Sequence, residues 1–174
     1  MRETCPHCGK FMVQPNGPTD SNILLVGEFP GEEEVNMGLP FVGRAGGVLS
    51  YELAVAGITL QRCRVTNLWL HYKTKNDTPC FNMGMSALLH EFNTPRKAVL
   101  FMGSELPGIF GLPNVTSISG LVFDKIPVLD LPYPCIFIPN PATVFHGPLG
   151  EIRFGMKQFG KLVKENRDGN KQSS

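Results

Sequence analysis

The stretch ILLVGEFPGEEEVNMGLPFVGRAGG, residues 23–47, decides the fold. Residues 23–27 form a continuous apolar run between a polar loop and a glycine, the pattern of a strand buried on both faces of a parallel sheet. From Gly27 to Gly47 the chain then carries six glycines, two prolines and four glutamates. After Gly46, Val48, Leu49, Leu53 and Ala56 recur at helical spacing until Gly57 stops the run. The order is strand, long loop, helix. Such a loop leaves the carboxyl end of its strand, where open α/β sheets bind ligands.

The rest of the chain repeats this order. CRVTNLWL, 63–70, reads as a second strand, and 82–92 as a helix with Met85, Leu88, Leu89 and Phe92 on one side. AVLFM, 98–102, is a third strand, and 115–130 holds a short hairpin or irregular strands. CIFIPNPATVF, 135–145, is a fourth core strand whose end is fixed by two prolines, and 150–164 a final helix. The alternation predicts a three-layer α/β/α fold around an open, mostly parallel four-stranded sheet. The segments beginning at Gly27, His71 and Asn140 all follow strands, so they converge on one cleft. Residues 1–165 form a single domain on this reading. The polar end, 166–174, has nothing to bury and is expected to be a disordered tail.

Composition sets limits on function. With 174 residues and a formal charge of +1, no strong field announces a nucleic-acid partner, although a local groove can still be positive. No run of about 18 apolar residues appears, which predicts a soluble, cytoplasmic chain without a membrane partner. Five cysteines, two of them in CPHC, fit metal binding in a reducing compartment better than a disulfide framework.

On residue chemistry alone, Glu28 sits on a turn stiffened by Pro30 and Gly31, and Phe41 is held between Pro40 and Gly43. A carboxylate so placed can orient a water, and a rigidly presented ring can stack on a planar ligand. The competing reading is a solvated glutamate-rich turn with Phe41 in the core.

Three motifs together resemble the uracil-DNA glycosylase superfamily: GEFPGEEEVNMGLPFVGRAGGVL, then VTNLWLHYKTKN, then IPNPATVF. The similarity spans about residues 5–165 and is strongest to the family-four iron–sulfur branch. It implies an enzyme of base excision repair that flips uracil out of single- or double-stranded DNA and hydrolyses its N-glycosidic bond, acting as a monomer. Carried over, Glu28 positions the attacking water or stabilises the developing sugar cation, and Asn76 and Asn140 complete the catalytic set. Phe41 stacks on the base, Asn67 reads its edge, and the backbone around Phe29 adds contacts. Val144 and Phe145 are wedge candidates that would fill the gap in the base stack, with core packing as the alternative.

The resemblance also implies a [4Fe–4S] cluster held by Cys5, Cys8, His71 and Cys80; a histidine can ligate cluster iron. Zinc is the alternative, since three cysteines and a histidine are an ordinary zinc set. Cys63 and Cys135, in apolar strands, read as core thiols. Three departures from the family pattern are Asn140 in place of histidine, Phe29 at a position that is often small, and a short loop from Asn76 to Cys80 without the insertion that the self-crosslinking branch uses as nucleophile. They favour two alternative functions: a catalytically degenerate DNA-binding or interaction protein, or a glycosylase for another modified or deaminated base.

Overall fold

A computed structural model describes residues 2–73, 77–147 and 149–168. The apolar run becomes β1 (Ile23–Gly27), followed by a short helix α1 (Glu32–Met37) and then α2 (Arg44–Val55). Next come β2 (Arg64–Asn67), α3 (Thr78–Glu91) and β3 (Ala98–Met102). Two one-turn helices, α4 (Leu106–Ile109) and α5 (Val115–Ile118), precede β4 (Val122–Phe123), β5 (Cys135–Ile138) and α6 (Gly150–Asp168).

The strands lie in the order β2-β1-β3-β5-β4. Four are parallel, and β4 pairs antiparallel with β5. Because successive side chains point to opposite faces, the strands feed two cores. Leu24, Val26, Val99, Phe101 and Phe137 pack toward α3, α4 and α5. Leu25, Leu100, Met102, Ile136 and Ile138 pack toward α2 and α6 through Leu49, Leu53, Ile152, Met156 and Phe159. The result is the expected three-layer sandwich.

Five details differ from the sequence expectation. The sheet has a fifth strand, two-residue β4, in the segment expected to hold a short hairpin or irregular strands outside the four-stranded sheet. The strand expected over 135–145 stops at Ile138, because Pro139 and Pro141 remove ladder donors and the chain turns into a 3-10 helix over Pro141–Phe145. The glycine-rich loop contains α1, whose first turn is Glu32, Glu33 and Glu34; acidic residues there complement the helix dipole. α3 begins at Thr78, capped by Asp77 with Pro79 in its first turn. Finally, α6 continues to Asp168, so the first residues of the expected tail are helical.

β1 lies between β2 and β3, with the chain crossing to one side and then the other. That reversal opens a crevice at the carboxyl ends of β1 and β3. The site residues collect around it.

Candidate active site and metal centre

Gly27, the last residue of β1, is where the site begins. A Cβ built there would lie 2.3 Å from Asn67 Oδ1 and 2.7 Å from Phe41 Cζ. Only a residue without a side chain lets the amide and the ring meet over the strand end. Asn67 is buried at the end of β2, in register with Gly27. Phe41 has φ 54°, a left-handed conformation rare outside glycine. Its carbonyl presses on Gly46, where a Cβ would fall 1.8 Å from Phe41 O. Two glycines on different elements thus hold one strained aromatic residue in place.

A second carboxylate supports this turn. Glu34, in α1, is 9% exposed, and its Oε1 accepts a hydrogen bond from the Gly43 N–H at 2.7 Å. The bond ties α1 to the turn that carries Phe41. Gly31 makes room for the same side chain, since a Cβ there would lie 2.7 Å from Glu34 Oε2. Sequence reasoning missed Glu34 by treating the acidic run as a unit. The available signal was its place three residues after Gly31, on the inward side of a first turn.

These residues line a cavity of about 240 Å3. Phe29, Pro30, Gly31 and Glu34 form one wall, Phe41, Ala45 and Asn67 another, and Asn140 and Ala142 close it from the β5 end. Of the sequence-predicted site residues, Phe29, Phe41, Asn67 and Asn140 are therefore brought together. Phe29 is half-buried and meets the exposed Tyr72 edge-on, with ring centroids 5.6 Å apart. Asn140 caps the 3-10 turn, its Oδ1 accepting from the Ala142 N–H at 2.9 Å. That leaves its amide nitrogen as the group it can present to the cavity. Beyond it, Val144 packs partly against the α2/α6 core, whereas Phe145 is 38% exposed beneath the Arg44 guanidinium, 4.2 Å from its centroid. Asn76 lies outside the described residues.

Glu28 stands beside the cavity and outside its wall. Its side chain crosses the crevice to the end of β3, where Oε1 accepts from the Glu105 N–H at 2.5 Å. Gly103 (φ 151°) makes this possible, for a Cβ there would lie 2.3 Å from Glu28 Cδ. Burial raises the Glu28 pKa above its ordinary value; the Glu105 N–H opposes the rise, and the Glu105 carboxylate adds to it. Lys73, which pairs with Glu105, pulls it back toward the ionised form.

Below Phe29 the four predicted ligands meet. The donor atoms of Cys5, Cys8, His71 and Cys80 all lie within 4.8 Å of one another. Cys5 Sγ is 3.5 Å from Cys80 Sγ, and Cys8 Sγ is 3.5 Å from His71 Nε2. The N-terminal CPHCGK folds into a tight knuckle: Gly9, at φ 73°, donates to Cys5 O, and Cys5 N donates to Lys10 O. His71 Nδ1 sits 2.9 Å from Tyr72 O; a bond there makes Nδ1 the protonated nitrogen and frees the Nε2 lone pair for a metal. Burial alone would raise the Cys5 pKa, but the backbone N–H groups of His7 and Cys8 and the nearby thiols bring it below its ordinary value. That favours the thiolate a ligand must be. By contrast, burial pushes Cys63 and Cys135 up to about 12, so these thiols stay protonated in the core.

A family model described as the uracil DNA glycosylase superfamily matches residues 14–155. Over 68 residues the chain is 41% identical to the type-4 uracil-DNA glycosylase of Thermotoga maritima. That similarity covers 39% of this chain and 35% of the relative, so it spans only about a third of the relative's length. No helix among the described residues is long and apolar enough to cross a membrane.

Proposed function

We propose that this chain, which belongs to the uracil DNA glycosylase superfamily, is a uracil-DNA glycosylase that acts as a monomer on uracil-containing DNA. The observation that carries this reading is the meeting of the Asn67 amide and the Phe41 ring over Gly27, at the wall of one cavity. At about 240 Å3 the cavity falls below the range of drug-sized sites and suits one flat ring. A uracil turned out of the base stack would lie against Phe41 and exchange hydrogen bonds with Asn67, which has both a donor and an acceptor. Cleavage leaves negative charge on the departing base, and the Asn140 amide donates toward it.

Glu28 serves the other side of the bond. With the base in the cavity, the sugar stays near its mouth, and a carboxylate beside the wall is placed to orient water toward the sugar carbon. Its raised pKa makes it a better proton acceptor than an ordinary carboxylate. The Glu105 N–H fixes one oxygen and leaves the other for the water.

The three thiols and His71 hold a [4Fe–4S] cluster on this reading, with an architectural role: they tie the N-terminal knuckle to the segments at His71 and Cys80. One observation favours zinc as a second reading. Four donors at ordinary zinc bond lengths of about 2.3 Å sit roughly 3.7 Å apart on a tetrahedron, close to the 3.5 Å separations found here. Iron and sulfide analysis against zinc analysis separates the two, as does absorption near about 400 nm, expected only of the cluster.

The glycosylase reading is tested with an oligonucleotide carrying one uracil, incubated with protein and then treated with alkali. Strand scission above a Glu28→Ala control supports it. No scission on single- or double-stranded substrate overturns it and leaves the non-catalytic binding protein or a glycosylase for another base, which a panel of modified bases separates.

A further inference from the structure

Two cavities roomier than the base site lie away from it, in a groove between α2 and α6. One of about 590 Å3 and one of about 440 Å3 share Tyr51, Glu52 and Arg153, so they form a continuous trough. The trough begins where the base cavity ends: Ala45 and Ala142 line the cavity, while their near neighbours Arg44 and Val144 line the trough. We propose that this groove is a track for the single nucleic-acid strand that flanks the flipped nucleotide. The proposal rests on the glycosylase reading for its substrate and adds a binding surface to it.

Charge selects the occupant. On α6, Arg153, Lys157, Lys161 and Lys164 are exposed at spacings of four, four and three residues, which places them in one row along the helix. Eleven residues of helix extend that row over about 16 Å. Arg44 adds a cation at the end nearest the base cavity, its guanidinium on Phe145. The acid within the trough, Glu52, is buried and already accepts from Arg153 Nε at 3.2 Å. On α6 itself the acids whose side chains are described are Glu151 and Glu165, near its two ends. No ion pair among the described residues involves Lys157 or Lys161.

The opposite wall suits bases. Tyr51 on α2 is 63% exposed in the middle of the trough. A row of cations facing an exposed aromatic ring is how sequence-tolerant proteins hold a single strand, the backbone on the charges and a base on the ring. The chain's overall charge of +1 hides this arrangement, in which four of the sixteen Lys and Arg residues share one helix face.

The test uses full-length protein and a fluorescent single-stranded oligonucleotide without uracil, followed by anisotropy across a salt series. The combined variant Lys157→Glu, Lys161→Glu should bind about tenfold more weakly at low salt. Its log K against log salt slope should be shallower by about 1.4, two single-strand phosphates at about 0.7 each. Tyr51→Ala should weaken binding about tenfold with the slope unchanged. Unchanged melting temperatures of both variants show that the fold is retained. Unchanged affinity and slope in the charge variant would overturn the proposal, as would a wild-type dimer in sedimentation whose dissociation follows Tyr51→Ala. The anisotropy needs neither uracil nor turnover, so failure of the glycosylase reading leaves it standing. Conversely, uracil release by a protein whose binding ignores both variants would remove the track alone.

Discussion

The base cavity and the thiol–histidine centre are both assembled at strand ends from distant parts of the chain, yet they are held by different forces. Around the cavity the fixing contacts are backbone ones: the left-handed Phe41, its carbonyl against Gly46, the bare Cα of Gly27, and the Gly43 N–H on Glu34. At the thiol centre the fixing contacts run through four side-chain donors, one of them on the exposed Cys8. A site shaped by packed backbone is preorganised before any ligand arrives. A site shaped by converging side chains gains its order from what binds it. The cavity should therefore respond to changes of a single atom, and the metal centre to loss of its ligand set.

The largest effect should fall on the rate when Glu28 is changed. Glu28→Gln keeps the shape and the bond from Glu105 but removes the charge. A lost general base costs roughly 10³-fold, read as kcat/KM on a uracil-bearing strand. In the wild type, the acid limb of the pH–rate profile should lie above the ordinary carboxylate value of 4.5, because burial raises the pKa of this group and the carboxylate acts when ionised. Stability runs the opposite way. The folded pKa exceeds the unfolded one, so ionising Glu28 lowers stability as pH climbs between the two. Glu28→Gln should then melt at a higher temperature than wild type at neutral pH and converge with it in acid. A variant that melts lower at neutral pH would show that the carboxylate is not strained by burial.

Next in size is Gly27→Ala. The added methyl would meet Asn67 Oδ1 at 2.3 Å and Phe41 Cζ at 2.7 Å, and the strand beneath it cannot yield without breaking register with β2 and β3. Displacing groups that hold a substrate by about 1 Å costs on the order of 10²-fold in rate. Gly47→Ala, where a Cβ would meet nothing within 4 Å, should instead gain about 0.5–1 kcal/mol of stability inside α2 with the rate unchanged. Equal effects from the two substitutions would mean that the cavity is not held by backbone packing.

The same division explains what could be read from the sequence. The strands at 23–27 and 98–102 follow from local patterns, apolar runs that end at a glycine, whereas the meeting of Phe41, Asn67 and Asn140 follows from the family resemblance of the three motifs. The four converging donors, Cys5, Cys8, His71 and Cys80, are likewise implied by that resemblance. What escaped depends on three-dimensional direction. The direction of the Glu28 side chain is one such feature, because Gly103 opens a space at the end of β3 and the carboxylate turns into it, outside the cavity wall. Glu34 looked like one charge in a solvated run until α1 turned it inward toward Gly43. β4 is two residues long, and its antiparallel pairing with β5 fixes which part of the segment 115–130 is strand, a choice that no local pattern makes.

The smallest effect on rate, and the sharpest test of the contrast, comes from dismantling the metal centre. Cys80→Ser removes a buried ligand that also sits in the core with Cys5, Leu88 and Trp69. Metal binding contributes directly to folding where the site does not exist in the unfolded chain. Loss of several kcal/mol at about 2–4 °C for each would lower the melting midpoint by on the order of 10 °C. Below that midpoint, the cavity should keep most of its rate, because Gly27, Gly46 and Glu34 hold Phe41 and Asn67 without help from any thiol. Cys63→Ser, at a core thiol far from the ligand set, serves as the comparison: it should lower stability without changing the metal content. If Cys80→Ser abolished turnover at a temperature where circular dichroism shows the sheet intact, the two sites would be one cooperative unit. The route for that coupling would be short, because the Trp69 N–H bonds to Glu28 O two residues before His71.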